Sequence, residues 1–554
     1  MNKKVCSFPI LFALLALLIG TCAVVFPASA QAAPTSTGSI TVSGTVARSY
    51  DAYQIFSANV VDGDCDAKTA TDLAWASDAV RDAVLPVLHS AGMPNSQTTA
   101  QEAAEWLNTD SHLTSALSAQ LARSLQSSGT VSVALNAGTA AELPCGYWLI
   151  VADDDAIAQG EAGTAPIMAL VGGAAVTVKP KAATPKVSKH VLEDSTAAWQ
   201  KAADATVADD LYWRLSATVP AGLTAYDTYT VRFVDTMGAG LDPSKVAASM
   251  RVYVAAGADG GFDAVQTGRD GLAGTEPAKG WTDITAQCGV SVDGKTFTVR
   301  TGDLVAALGG ADAFTAGARV VAVYNAPLSS ACSHGIAKGN PNEVYLRYPR
   351  SPFADQSGDA GFTRTPSDDA CAYTWDLALT KRGSDGDKPL AGAVLSIADD
   401  RGRTLAADGT WDAEGKATVT TGEDGRVTVS GVDSGKLEVR ELKAPKGYTA
   451  FEGTRSVTVK AEGLDVDQVA AAKPKLTITA ESPLRADSAD GSTGSLEASL
   501  INTPTGTPPS ITTGGFMPST GDMAMYAAAA AAVAGAALIV VALLVKRGGG
   551  SHKE

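Results

Sequence analysis

From about residue 184 to 503 the chain is a succession of short alternating runs cut by Gly- and Asp-rich turns, and no other feature restricts its fold as much. Apolar and polar residues alternate over 211–218 and 229–234, and strand-like runs recur over 374–379, 393–397, 427–429 and 437–441. Alternation of period two puts every second side chain on one face of a pleated strand, so each run buries one face and needs a sheet opposite it. The expectation is a mainly β protein: tandem β-sandwich domains over 183–370 and 371–505. The stretch before them differs. Strand patterns at 36–62, 145–151 and 174–178 enclose a patch where Leu113, Leu117, Leu121 and Leu125 recur every four residues, the spacing of one helix face. The first domain, 31–182, is expected to be a sheet with a helical insertion.

Both ends carry targeting signals. Lys3 and Lys4 precede an apolar run and then Ala28-Ser29-Ala30, which reads as a signal peptide over 1–30. At the other end, 526–545 is an uncharged Ala-, Val- and Leu-rich stretch long enough to cross a bilayer as a helix. Lys546 and Arg547 follow at once, and positive charge there holds the tail 546–554 in the cytoplasm. Everything upstream lies outside the cell. The net charge of −16 argues against phosphate backbones, so no nucleic acid is expected as a partner. Five His, no Gly-x-Ser-x-Gly elbow and no His-Glu-x-x-His pair leave little for hydrolase or metal chemistry. No cofactor and no metal are expected. The run Asp62-Gly63-Asp64-Cys65-Asp66 has Ala67 and Leu73 where a calcium loop needs Gly and Glu, and reads as a polar turn.

Just before the apolar span stands Met517-Pro518-Ser519-Thr520-Gly521, at the end of a Thr-, Pro- and Gly-rich stalk within 506–521. This resembles the LPxTG cell-wall sorting signal of Gram-positive bacteria, with Met517 for Leu. The resemblance implies that a sortase cuts between Thr520 and Gly521 and passes the Thr520 acyl group to an amine. The third domain resembles a Cna-B-type, Ig-like pilin module. It opens 377–381 Leu-Ala-Leu-Thr-Lys and 389–393 Pro-Leu-Ala-Gly-Ala, carries an E-box-like 437–448, and ends on Leu500-Ile501-Asn502-Thr503-Pro504. In such modules a first-strand Lys and a last-strand Asn join in an intramolecular isopeptide bond. The resemblance assigns Lys381 and Asn502 to the bond and Glu441 to its catalysis. Burial would lower the Lys381 amine and hold Glu441 protonated, which gives a nucleophile and a proton donor.

The second domain resembles the isopeptide-forming D2 module of the same pilins. Pro185-Lys186-Val187-Ser188-Lys189 places a reactive lysine at Lys189, and Phe233-Val234-Asp235-Thr236 places the acid at Asp235. The final-strand Asn of the family is replaced by Arg350. Asn342 lies eight residues upstream, roughly 27 Å along an extended strand, and is not expected to substitute. The second bond is thereby left without a partner. Val178-Lys179-Pro180-Lys181 resembles the pilin motif, whose lysine accepts the sorted Thr; this implies Lys181, with Lys179 its near neighbour.

The whole resemblance is to the major shaft pilin of a sortase-assembled pilus: a structural chain, not an enzyme, secreted and anchored in the cell wall. Its implied partners are sortase, further copies of itself, peptidoglycan, tip and base pilins, and a host ligand that the sequence does not name. The alternative is a wall-anchored adhesin that never polymerises. Five cysteines remain after signal removal, and export favours disulfides. Cys65–Cys145 is the expected pair; Cys288, Cys332 and Cys371 stay open, with Cys332–Cys371 a further option.

Overall fold

The computed structural model describes residues 36–506 apart from 45–47, 64–66, 110–111, 154–156, 158–159, 181–183, 220–224, 258–279 and 311–316. The expected signal peptide, stalk, sorting signal, membrane span and cytoplasmic tail lie outside those residues. Among the described residues no helix is long and apolar enough to cross a membrane.

The first module is layered. A five-stranded sheet runs in the order Lys68–Trp75, Ser49–Asp62, Gly146–Ala152, Ile167–Val171, with Val133–Asn136 added on Ser49–Asp62. Three helices cover one face: Asp78–Ser90, Ala100–Asn108 and Ser115–Ser127. Each starts where a hydroxyl accepts a backbone N–H, from Ser77, Thr99 and Thr114, and Thr99 completes a capping box with Glu102. Leu117, Leu121 and Leu125 face the sheet as their spacing predicts, whereas Leu113 precedes the helix. On the other face lies a small sheet in the order Ala140–Pro144, Thr37–Val42, Val176–Val178. Its last pairing is parallel, and the Ser43 N–H donates to the Val178 carbonyl at 2.7 Å.

The second module is a sandwich of two six-stranded runs. One follows the order Ala198–Gln200, Lys186–Glu193, Tyr212–Val219, Ala318–Asn325, Arg251–Ala256, Thr282–Asp283. The other follows Ala202–Asp204, Asp368–Tyr373, Asn340–Pro349, Arg232–Met237, Thr296–Arg300, Gly289–Asp293. Trp213, Tyr229, Phe233, Tyr324 and Tyr348 fill the space between them. The strand expected at 229–234 begins three residues later, because Tyr229 is drawn off by Asp303, whose Oδ1 accepts its N–H.

The third module is a second sandwich. Its first strand, Trp375–Gly383, lies parallel to its last, Ser495–Pro504, and the register sets Lys381 opposite Leu500 and Gly383 opposite Asn502. The facing sheet has Gly435–Lys443 at its centre, between Val394–Ala398 and Thr454–Glu462.

The modules are joined through backbone. Gly163 N–H donates to the Arg350 carbonyl at 2.6 Å, and Ala162 of the first module is buried in the core of the second. Between second and third, Val207 N–H donates to the Gly431 carbonyl at 2.9 Å. Asp204 Oδ2 accepts from Trp375 Nε1, Ser434 N and Ser434 Oγ at 2.6, 2.9 and 2.5 Å. At the same seam Gly335 and Gly494 touch: a Cβ on Gly335 would stand 2.4 Å from the Gly494 nitrogen, and both have positive φ.

Candidate isopeptide sites

The third module brings its three predicted residues together. Lys381 lies on the first strand, Asn502 on the last and Glu441 on the central strand of the facing sheet, so the site bridges both sheets. Lys381 is fully buried, Asn502 nearly so, and the Glu441 side chain has no exposure. Lys381 Nζ donates to Asn502 Oδ1. Asn502 Nδ2 donates to Glu441 Oε1 at 2.9 Å, and the same oxygen stands 3.2 Å from Lys381 Nζ. Glu441 Oε2 is held by the Phe451 N–H at 3.1 Å. Burial, offset by Glu441, lowers the Lys381 amine to about 8. An exposed surface ion pair would be worth about 0–1 kcal/mol; this group is instead dry, and a buried charged pair costs desolvation that only further bonding repays.

In the second module Lys189 lies on the first strand and Asp235 on the opposite sheet, and both side chains are fully buried. Lys189 Nζ donates to Asp235 Oδ2 and, at 2.9 Å, to the Tyr324 hydroxyl. Burial lowers Lys189 to about 8 and raises Asp235, so both drift toward their neutral forms despite their closeness. An asparagine stands beside this pair. Asn342 is fully buried, and its Nδ2 donates to the same Tyr324 hydroxyl at 2.8 Å. Its exclusion on chain distance from position 350 is corrected by the register. Asp235 pairs with Val344 and Met237 with Asn342, so Asp235 and Asn342 are diagonal neighbours on one face. Arg350 stands beyond the other end of that strand, and its backbone binds Gly163 and Gly361. Tyr324 was not singled out from the sequence; its signal was the alternation of Val320, Ala322 and Tyr324, which aims all three inward.

Each set allows the same chemistry. A neutral lysine amine attacks Cγ of the asparagine, the Cγ–Nδ2 bond breaks, and one proton moves from Nζ to Nδ2, which leaves as ammonia.

Other predicted residues fall elsewhere. Lys181 and Cys65 lie outside the described residues, as do Met517, Pro518, Ser519, Thr520 and Gly521. Lys179 is exposed directly after the buried Val178. Cys145, the expected partner of Cys65, is a buried free thiol, and Cys288, Cys332 and Cys371 are also free, so Cys332–Cys371 is not formed. Asp62 ends the strand Ser49–Asp62 and accepts from Lys68 Nζ at 2.9 Å and the Ala174 N–H at 2.7 Å, while residues 64–66 of the expected polar turn lie outside the described residues. Among the described residues no group of three or more His, Cys, Asp or Glu is arranged to hold a metal.

Two consecutive β-sandwiches each bury a lysine, a carboxyl and an asparagine. Residues 376–473 match the family described as SpaA, prealbumin-like fold domain. The chain is 30% identical over 129 residues to the trypsin-resistant surface T6 protein of Streptococcus pyogenes serotype M6. That stretch spans 22% of this chain and 22% of the relative's length. Among solved structures it is similar to the T6 backbone pilin of serotype M6 Streptococcus pyogenes, with TM-score 0.45 and 16% identity over 85% of this chain and 98% of that one. It is also similar to the major pilin SpaD of Corynebacterium diphtheriae, with TM-score 0.41 and 16% identity over 85% and 98%.

Proposed function

We propose that the chain is the shaft subunit of a sortase-assembled pilus, with Thr520 of one copy joined to Lys181 of the next and the polymer anchored to peptidoglycan. It would be secreted through the signal at 1–30 and held by the span at 526–545 until sortase acts at Met517–Gly521. The modules 31–182, 183–370 and 371–505 would each form one bead of the shaft. The observation that carries the reading is the pair of buried Lys–carboxyl–Asn sets, Lys381/Glu441/Asn502 and Lys189/Asp235/Asn342, in consecutive modules. Both sets would close as isopeptide bonds. A covalent fibre under tension needs such ties, because a folded domain is worth only about 5–15 kcal/mol. The sorting signal, the SpaA-type domain and the likeness to a trypsin-resistant surface protein support the same reading.

The test is an immunoblot of cell-wall extract boiled in detergent. A high-mass ladder is expected from the parent, and Lys181→Ala should leave only monomer while Lys179→Ala keeps the ladder. Monomer alone in the parent strain would favour the adhesin that never polymerises.

A further inference from the structure

The two sites are wired differently. In the third module Glu441 Oε1 reaches both reacting nitrogens, Lys381 Nζ at 3.2 Å and Asn502 Nδ2 at 2.9 Å. Aspartate is one methylene shorter than glutamate. In the second module Asp235 Oδ2 meets Lys189 Nζ and Tyr324 but not Asn342, and Asp235 Oδ1 has no hydrogen-bond partner. The gap is filled by the Tyr324 hydroxyl. It donates to Asp235 Oδ2 at 3.0 Å and accepts from Lys189 Nζ at 2.9 Å and from Asn342 Nδ2 at 2.8 Å. One donor and two acceptor lone pairs are all that a hydroxyl owns, and all three are used within the reacting group.

We propose that Tyr324 is a catalytic residue of the second module's closure, relaying a proton from Asp235 to the departing Nδ2 of Asn342. The proposal rests on the Lys189–Asn342 reading given above. As Nζ bonds to Cγ, it sheds one proton to the Asp235 carboxylate. Asp235 hands that proton on to the Tyr324 oxygen as the Tyr324 hydroxyl proton passes to Nδ2. The Cγ–Nδ2 bond breaks, ammonia leaves, and Asp235 and Tyr324 end as they began. Full burial keeps the phenol from ionising: it is pushed well above its ordinary range by its apolar surroundings and by Asp235. Tyr324 therefore stays a hydroxyl, able to give and take a proton in one step. The ring itself is fixed by Phe297, edge-on at 4.7 Å between centroids, so the oxygen is held in place. The third module uses no such hydroxyl, because Glu441 spans the distance.

The test follows closure in the full-length chain by mass spectrometry of tryptic fragments, with time after synthesis as the variable. In the parent, the fragment linking Lys189 to Asn342 should appear beside the one linking Lys381 to Asn502. Tyr324→Phe removes one oxygen and should slow the first linkage by about 100-fold or more, the scale of general acid–base catalysis. The Lys381–Asn502 linkage in the same molecules should form at the parental rate, which reports that the chain has folded. Asn342→Ala supplies the protease pattern of a folded but open second module, which Tyr324→Phe should reproduce. Adding Asp235→Glu to Tyr324→Phe should restore closure, since the longer carboxyl reaches Nδ2 unaided; a packing defect would not be rescued this way. A Tyr324→Phe chain that closes as fast as the parent, or that Asp235→Glu fails to restore, overturns the relay while leaving the bond intact. A parent chain with no Lys189–Asn342 fragment overturns the underlying reading instead.

Discussion

Replacing Glu441 by Gln keeps the volume of the side chain and removes the proton it can exchange, so the third module should fold without closing its bond. The cost can be worked from the structure. Lys381 and Asn502 are 121 residues apart, and the chain-entropy relation for a tie of that span gives about 5 kcal/mol, against about 2–4 kcal/mol commonly measured for disulfides. For a domain of this size each kcal/mol moves the midpoint by roughly 4 °C, so Glu441→Gln should melt roughly 10–20 °C lower. The mass of the chain should rise by one ammonia relative to the parent, and trypsin should gain cuts within 376–502. Mass spectrometry and calorimetry on the same sample read both numbers. If Glu441→Gln keeps the parental mass, the carboxyl is not the catalyst, and the reasoning from its contacts with Lys381 and Asn502 fails.

Three further outcomes are expected. Lys189→Ala should cost one lost ammonia only, leaving the third module closed; two ammonias still missing would remove Lys189 from the chemistry. Asn502→Ala leaves Lys381 an amine whose folded value, about 8, lies below the ordinary 10.5. The unfolded chain then binds the extra proton between those values, so stability should rise with pH through that window and be lost toward pH 8; denaturant melts at both ends of the window give the sign. Asp204→Ala removes the acceptor for Trp375 and Ser434 and should cost about 3 kcal/mol at the seam, splitting the calorimetric transition of the second and third modules in two.

The third site was legible because the family resemblance rests on local motifs: Lys381 closes the opening 377–381, Glu441 lies in the E-box-like 437–448, and Asn502 lies in the closing 500–504. The second was half legible. Lys189 and Asp235 sit in short motifs, but distance along the strand from Arg350 does not tell which residue the pairing sets beside Asp235. Register is not local information, and a shift of one pair would have aimed Asn342 elsewhere. Tyr324 passed as one more apolar residue in an inward-facing row, since nothing in its neighbourhood distinguishes a packed ring from a hydroxyl with three partners. The joints between modules left no trace in composition, because Gly163–Arg350 and Val207–Gly431 are bonds between backbone groups that every residue carries.

The parallel pairing of Trp375–Gly383 with Ser495–Pro504 has a mechanical meaning. In the proposed fibre, pulling from both ends would drag the start of the first strand one way and the end of the last strand the other, so the pair would be loaded in shear and its hydrogen bonds would resist together. Were they to give, the chain between Lys381 and Asn502 would pay out roughly 400 Å of slack at 3.4 Å per residue. A covalent link between those two residues removes that slack from the stretched contour. The module would then transmit force as a cable does, without lengthening, and recoil would need no refolding.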